Sequence, residues 1–160
     1  MKILIAYYSK TGNTEKVAQN LATLLGADLE KIIDKTSRAG IWGWLIAGRD
    51  GMQKKMTEIE TPIKNPADYD LIILGSPVWG WDMVPALRAY VEKFKTDCKN
   101  VALFVTSGNT GVDKVAPSFE AALDKKLSAV VGFSTSELKD DKVYSEKLAS
   151  FVNSFYVKGN

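Results

Sequence analysis

A parallel, doubly wound α/β sheet is the fold class this 160-residue sequence predicts, from three observations. Four short runs, residues 3–8, 71–74, 101–105 and 129–133, are continuously apolar. Strands apolar on both sides are buried on both faces, the habit of parallel sheets covered by helices. Between these runs the apolar period lengthens to that of helices, so strand and helix alternate along the chain. The composition, 46% hydrophobic and 25% charged, is that of a globular protein able to bury a core. At this length one domain over residues 1–160 is expected.

The elements follow in order. Strand one (3–8) leads into a helix with Val17, Leu21, Leu24 and Leu25 on its apolar stripe, closed by Gly26 where a C-cap glycine belongs. Strand two (27–33) sets Asp28, Glu30 and Lys31 among apolar residues, as an edge strand half in water does. Over residues 36–61, glycines 40, 43, 48 and 51 each cost a helix about 1 kcal/mol against alanine. Trp42, Leu45, Ile46 and Met52 still share one helical face, so a distorted second helix is expected there. After strand three (71–74), Pro85 suits a first helical turn, and Leu87, Tyr90, Val91 and Phe94 repeat at helical spacing. After strand four (101–105), Val115, Phe119, Ala122 and Leu123 do the same. Strand five (129–133) is followed by a last helix carrying Tyr144, Leu148, Phe151 and Phe155. The lysine pairs at 54–55 and 125–126 read as solvated faces.

Composition closes several functional classes. Against 21 basic residues stand 19 acidic ones, and a net charge of +2 gives no basic face for nucleic acid. Histidine is absent, which removes the serine and cysteine triads. One cysteine, Cys98, allows no internal disulfide and no Cys-rich metal site. That usage fits a reduced, cytoplasmic compartment. The first apolar run is too short for a signal peptide, and residues 41–47 fall far short of the ~20 that span a bilayer, so no membrane is expected. If the chain is an enzyme, a bound cofactor carries its chemistry.

Ligands of open α/β sheets gather beyond the C-terminal ends of the strands, where the strand order reverses. Three loops leave such ends. The first, Ser9-Lys10-Thr11-Gly12-Asn13-Thr14, concentrates hydroxyls, an amide and a glycine at a helix start. Unpaired N–H groups and the helix dipole suit a phosphate there, although a plain N-cap uses the same residues. Neither a Walker A frame nor a G-x-G-x-x-G fingerprint is present, which disfavours nucleotide hydrolysis. The second loop, Gly75-Ser76-Pro77-Val78-Trp79-Gly80-Trp81-Asp82-Met83, sets two tryptophans around a glycine. They belong either to the core or to a flat apolar ligand stacked on an indole. The third, Ser107-Gly108-Asn109-Thr110-Gly111, lets backbone approach a ligand while leaving polar groups for a ring edge; read alone, it is a turn.

Together the three loops describe a mononucleotide pocket, and here the residues resemble a known family. Residues 3–8 followed by Ser9-Lys10-Thr11-Gly12-Asn13-Thr14 look like the phosphate-loop signature of the flavodoxin-like FMN-binding proteins. Residues 69–79 are similar to that family's third strand and ring loop, and 106–111 more loosely to its third loop. The resemblance covers essentially the whole chain and matches the short-chain members in length. It implies a flavodoxin-like, five-stranded parallel sheet in order 2-1-3-4-5, helices on both faces, and non-covalent FMN at the reversal between strands one and three. Carried over by position, Ser9, Thr11, Asn13 and Thr14 with the Gly12 backbone would hold the phosphate, with Lys10 the loop's single charge. Trp79 or Trp81, flanking Gly80 and preceded by Ser76, Pro77 and Val78, would stack on the flavin ring. Stacking and restricted water disfavour an anionic reduced ring and lower its potential. A peptide flip beside Gly80 toward flavin N5 is a further expectation. Ser107, Gly108, Asn109 and Gly111 would address the pyrimidine edge.

Other tenants of such a fold fit less well. A receiver domain needs an aspartate at the end of strand three, where this chain has Gly75-Ser76-Pro77. A low-molecular-weight phosphatase needs a cysteine in the first loop, and Cys98 lies far from it, an inert thiol by default. The resemblance supports either an electron carrier serving redox partner proteins or an NAD(P)H-dependent FMN reductase acting on a quinone or similar small acceptor. Dedicated flavodoxins are strongly acidic and steer toward basic partners, whereas this chain stands at +2, with Asp82 and Asp113 reading as ordinary surface charges. No nicotinamide motif is visible, which favours the carrier.

Overall fold

Every residue of Ile3–Tyr7 is buried, as expected of a strand covered on both faces. It is the first of five strands in the computed structural model, which describes residues 1–35, 57–80, 82–108 and 111–156. The strands are β1 (Ile3–Tyr7), β2 (Asp28–Lys31), β3 (Leu71–Pro77), β4 (Val101–Ser107) and β5 (Val130–Ser134). All pair in parallel, in the order β2-β1-β3-β4-β5. Helices α1 (Asn13–Leu25), α2 (Pro85–Phe94) and α3 (Val112–Leu123) follow β1, β3 and β4, and α4 (Asp141–Asn153) follows β5. The expected doubly wound class and strand order are therefore observed.

The two-residue alternation of the strands divides the core. Leu4, Ala6, Ile72, Leu74, Leu103 and Val105 face one layer with Leu87, Tyr90, Val115 and Phe119. Ile3, Ile5, Tyr7, Ile73, Ala102 and Phe104 face the other with Val17, Leu21, Leu148 and Phe151. Phe104, Phe119 and Phe133 are fully buried, each worth ~1.5–3 kcal/mol over an exposed ring. Gly26 closes α1 in the left-handed conformation at φ 60°, and Pro85 opens α2. Because the chain runs from β1 outward to β2 and then crosses to β3, the order reverses beside β1. Its crevice opens at the C-terminal ends of β1 and β3.

Several expectations change. Strand five begins at the sheet's far edge, so Val130 is 44% exposed rather than covered on both faces. Leu24 turns out to solvent, leaving Val17 and Leu21 buried and Leu25 half-buried against the core on the predicted stripe of α1. Glu30, expected half in water, is buried, because its carboxylate accepts the Ile63 and Lys64 N–H groups at 3.1 and 2.8 Å. Of the expected second helix, residues 36–56 lie outside the described residues, including Trp42, Leu45, Ile46, Met52 and the lysine pair 54–55. The described tail is extended, not helical. Lys35 N–H donates to the Glu58 carbonyl and Glu60 N–H to the Ile33 carbonyl, each at 2.9 Å, in an antiparallel bridge continuing the β2 edge. Pairing there satisfies backbone groups that an edge would leave to water. Lys125 is half-buried and donates to the Lys95 and Cys98 carbonyls, so only Lys126 of that pair is a solvated charge. Cys98 is buried and its thiol is pushed up to about 11 by burial, as befits an unreactive side chain. Among the described residues no helix is long and apolar enough to cross a membrane, and no cluster of three metal-ligating side chains occurs.

Candidate functional site

The loop 9–14 bends because Gly12 adopts φ 94°, a left-handed value that would strain any side chain, with open space where a Cβ would stand. The turn brings the Ser9 hydroxyl back onto the start of α1. Its oxygen accepts Gly12 N–H at 3.2 Å and Glu15 N–H at 3.3 Å. A serine oxygen has two lone pairs and one proton, so both lone pairs are engaged and the proton remains to be donated. The first four N–H groups of a helix lack intrahelical partners. Here two of them, Gly12 and Glu15, are held by Ser9; those of Asn13 and Thr14 have no acceptor among the described residues. Lys10, Thr11, Gly12 and Asn13 are exposed at the mouth of this turn, while Thr14 is buried. The Thr14 hydroxyl lies 2.8 Å from that of Thr106, near the end of β4.

Glu15 lies in the same first turn and tethers it from outside. It accepts the Tyr7 phenol at 3.1 Å and pairs with Lys31 at 3.0 Å. The hydrogen bond from Lys31 holds its carboxyl below the usual carboxylate range. Burial first, and Glu15 second, push the Tyr7 phenol up to about 12.

Loop 76–82 is assembled differently. Ser76 is fully buried and its hydroxyl donates to the Pro77 carbonyl at 2.8 Å, so it faces protein. Pro77 lies opposite Thr106 in the β3–β4 register, and Val78 N–H donates to the Thr106 carbonyl at 2.9 Å. Trp79 is half-buried at the rim. Its ring meets Tyr8 edge-on, with centroids 5.7 Å apart, and Lys10 Nζ stands 5.6 Å from its centroid. Burial and the Asp34 charge both raise the Tyr8 phenol above its ordinary value. The Trp79 carbonyl accepts Asp82 N–H at 3.2 Å, closing a turn around Gly80 at φ 60°. Asp82 is not an idle surface charge: it accepts Met83 N–H at 2.7 Å and pairs with Arg88 at 2.9 Å. Trp81 lies outside the described residues.

The third loop starts at the end of β4. Ser107 is half-buried, and its carbonyl accepts both the N–H and the hydroxyl of Thr135, at 2.9 and 3.2 Å. Gly108 is exposed in open space, and Gly111 is buried at the start of α3. Asn109 and Thr110 lie outside the described residues. The structure therefore brings the three loops to one end of the sheet through Lys10–Trp79, Thr14–Thr106 and Val78–Thr106.

Tyr8 and Thr106 were missed as site residues. Tyr8 reads in sequence as the last residue of an apolar strand. Thr106 differs only as a lone hydroxyl on the Phe104 face of β4, a signal visible once strand alternation is applied.

Solved structures share this fold. A flavoprotein from Bacteroides uniformis ATCC 8492 is similar over 91% of this chain and 98% of its own, at TM-score 0.73 and 21% identity. The flavoprotein of Lactobacillus acidophilus NCFM, solved in complex with FMN, covers 87% of this chain and 97% of its own, at TM-score 0.64 and 23% identity. Its apo form, solved by NMR, has 27% identity and TM-score 0.64, covering 86% and 95%. No curated protein sequence matches significantly. The flavodoxin family model matches residues 2–155, and the chain belongs to the flavodoxin family.

Proposed function

We propose that this protein binds FMN non-covalently at the three loops and serves as an electron carrier between redox partners. The observation that carries the reading is the start of α1: two N–H groups without acceptors among the described residues, beside a Ser9 hydroxyl whose remaining capacity is to donate. A terminal phosphate accepts from such groups, and the helix dipole favours its charge. Thr11, Asn13 and Lys10 stand exposed at the same mouth, Lys10 adding its cation. The residues present therefore fit a phosphorylated ligand. Trp79, half-buried at the rim with its ring perpendicular to that of Tyr8, is the aromatic side chain on which a flat ring would stack. Ser107, Gly108 and Gly111 would border the ring's polar edge, and Ser76, Pro77 and Val78 support the loop from behind. When bound, FMN supplies the reversible uptake of electrons that no side chain here provides.

A second reading rests on charge. At +2 the chain lacks the acidic field that draws a carrier to basic partners, and the cation of Lys10 at the rim suits an anionic nucleotide donor. On that reading the protein is an NAD(P)H-dependent reductase of a small acceptor. Two measurements test both. Apoprotein titrated with FMN should quench flavin fluorescence stoichiometrically; absence of binding would overturn both readings. Rapid mixing of the holoprotein with NADH or NADPH should leave the flavin absorbance unchanged if it is a carrier. Fast bleaching would establish the reductase instead.

A further inference from the structure

Thr106 is the penultimate residue of β4 and touches all three loops. Its hydroxyl lies 2.8 Å from that of Thr14, its carbonyl accepts Val78 N–H at 2.9 Å, and its chain continues into Ser107. Thr14 is 2% exposed and Thr106 4%, so both hydroxyls have left water. The strand before it, Val101-Ala102-Leu103-Phe104-Val105, is apolar, and core packing alone would be served equally by valine. A buried hydroxyl is costly unless paired, and here each is the partner of the other across β3. The pair bridges from the first turn of α1 to a strand two places away in the sheet order from β1.

We propose that Thr106 is a positioning residue for the phosphate of FMN, acting through Thr14; the inference rests on the FMN reading above. Two bonding arrangements are open to the pair, with either hydroxyl as donor. When Thr106 donates, both its proton and one Thr14 lone pair are used, and the Thr14 proton stays free. An anion at the start of α1 selects that arrangement, and the bond it receives is strengthened by the one behind it. The same contact fixes where the Thr14 N–H points, because it anchors the first turn of α1 to the sheet. Removing the Thr106 hydroxyl leaves Thr14 buried without a partner, free to turn its proton inward or to shift the turn.

The test compares FMN with riboflavin, which lacks the phosphate, on full-length wild-type protein, Thr106→Val, Thr106→Ser, Thr14→Val and the double valine variant. Thr106→Val should weaken FMN on the order of tenfold, the scale of a buried hydroxyl left unpaired. Riboflavin affinity should hold within about twofold, since the phosphate-specific term alone is lost. Thr106→Ser should restore FMN binding, and Thr14→Val should cost less in the Thr106→Val background than alone. Equal weakening of both flavins would reduce Thr106 to a structural role, and unchanged FMN affinity would end the proposal. Where riboflavin is too weak to titrate, inorganic phosphate competing against FMN is the second probe; its inhibition constant should rise in Thr106→Val, and an unchanged one counts against the role. If Thr106→Val does not fold, Thr106→Cys against Thr106→Ser makes the same comparison at similar size. Failure of wild-type protein to bind FMN would defeat the functional reading, whereas a wild-type FMN preference that survives in Thr106→Val defeats only the positioning role.

Discussion

Loop 9–14 takes its turn from hydrogen bonds that the Ser9 hydroxyl gathers at the start of α1, whereas loop 76–82 adds to its own hydrogen bonds the rings and ion pair packed around it, although both leave adjacent strands. In the first, one serine oxygen gathers two N–H groups and a single glycine at φ 94° makes the turn. In the second, Ser76 and Val78 turn to the protein, Trp79 leans on Tyr8 and Lys10, and Asp82 is fastened to Arg88. A loop that closes on itself carries its geometry locally and keeps a fixed shape for an anion. One that depends on neighbouring elements takes its shape from them, and is the one expected to adjust to a ring.

The largest test is made where the two loops share a floor. Gly75 precedes the second loop, and a Cβ there would press into the Phe104 ring, 2.7 Å from Cε1, and stand 2.8 Å from Tyr7 Cβ. Both neighbours are buried and fixed. Gly75→Ala should cost about 3 kcal/mol by overpacking, which at this chain length lowers Tm by roughly 6–12 °C. Scanning calorimetry checks it, and a drop below about 2 °C would mean that the ring yields freely.

Paired glycine variants separate the loops. Gly12→Ala has space for its methyl but must hold φ 94°, a backbone cost of ~1–2 kcal/mol confined to the first loop. FMN affinity should fall more than riboflavin affinity. Gly80→Ala, at φ 60° and also in open space, should cost about 1 kcal/mol and weaken both flavins alike. Identical patterns for the two variants would dissolve the distinction. Smaller again is Arg88→Ala. Its ion pair with Asp82 is partly exposed, so the loss should stay within about 1 kcal/mol and shrink in 1 M salt. Asp82 keeps the Met83 N–H, and the turn should survive.

The contrast also explains what the sequence disclosed. The inner strands β1, β3 and β4 were legible because burial on both faces leaves continuous apolar runs, and α1 because Gly26 marks its end. The first loop was legible because its residues are contiguous. The role of Thr106 was not, because the hydroxyl that strand alternation singles out gains meaning only through Thr14, 92 positions earlier. Glu30 read as solvated for the same reason: its partners, the N–H groups of Ile63 and Lys64, are more than thirty residues away. Tyr8 read as core, and its contact with Trp79 depends on a register that no local pattern states.

Tyr7 and Tyr8 bring the comparison to one dipeptide. They point to opposite faces of the sheet, Tyr7 toward the first turn of α1 and Tyr8 toward Trp79. Tyr7 serves the first loop through a hydrogen bond to Glu15, Tyr8 the second through its ring. At neutral pH Tyr7→Phe should therefore cost about 1 kcal/mol, and Tyr8→Phe, which keeps the ring contact, less. Their pH behaviour sharpens this. Folding raises the Tyr7 phenol to about 12, through burial and then Glu15, so the folded state favours the neutral phenol. That contribution is complete below the unfolded value of about 10 and is lost as pH rises through the folded one. Tyr69, also raised to about 12, titrates in both wild type and variant and cancels from their difference. Urea unfolding at intervals from pH 8 upward should show wild type ahead of Tyr7→Phe up to about pH 10, with the gap closing and then reversing toward pH 12. A gap that stays constant over that range would mean that the Tyr7 phenol is not held neutral against Glu15, and that the Tyr7–Glu15 bond does not anchor the first turn of α1.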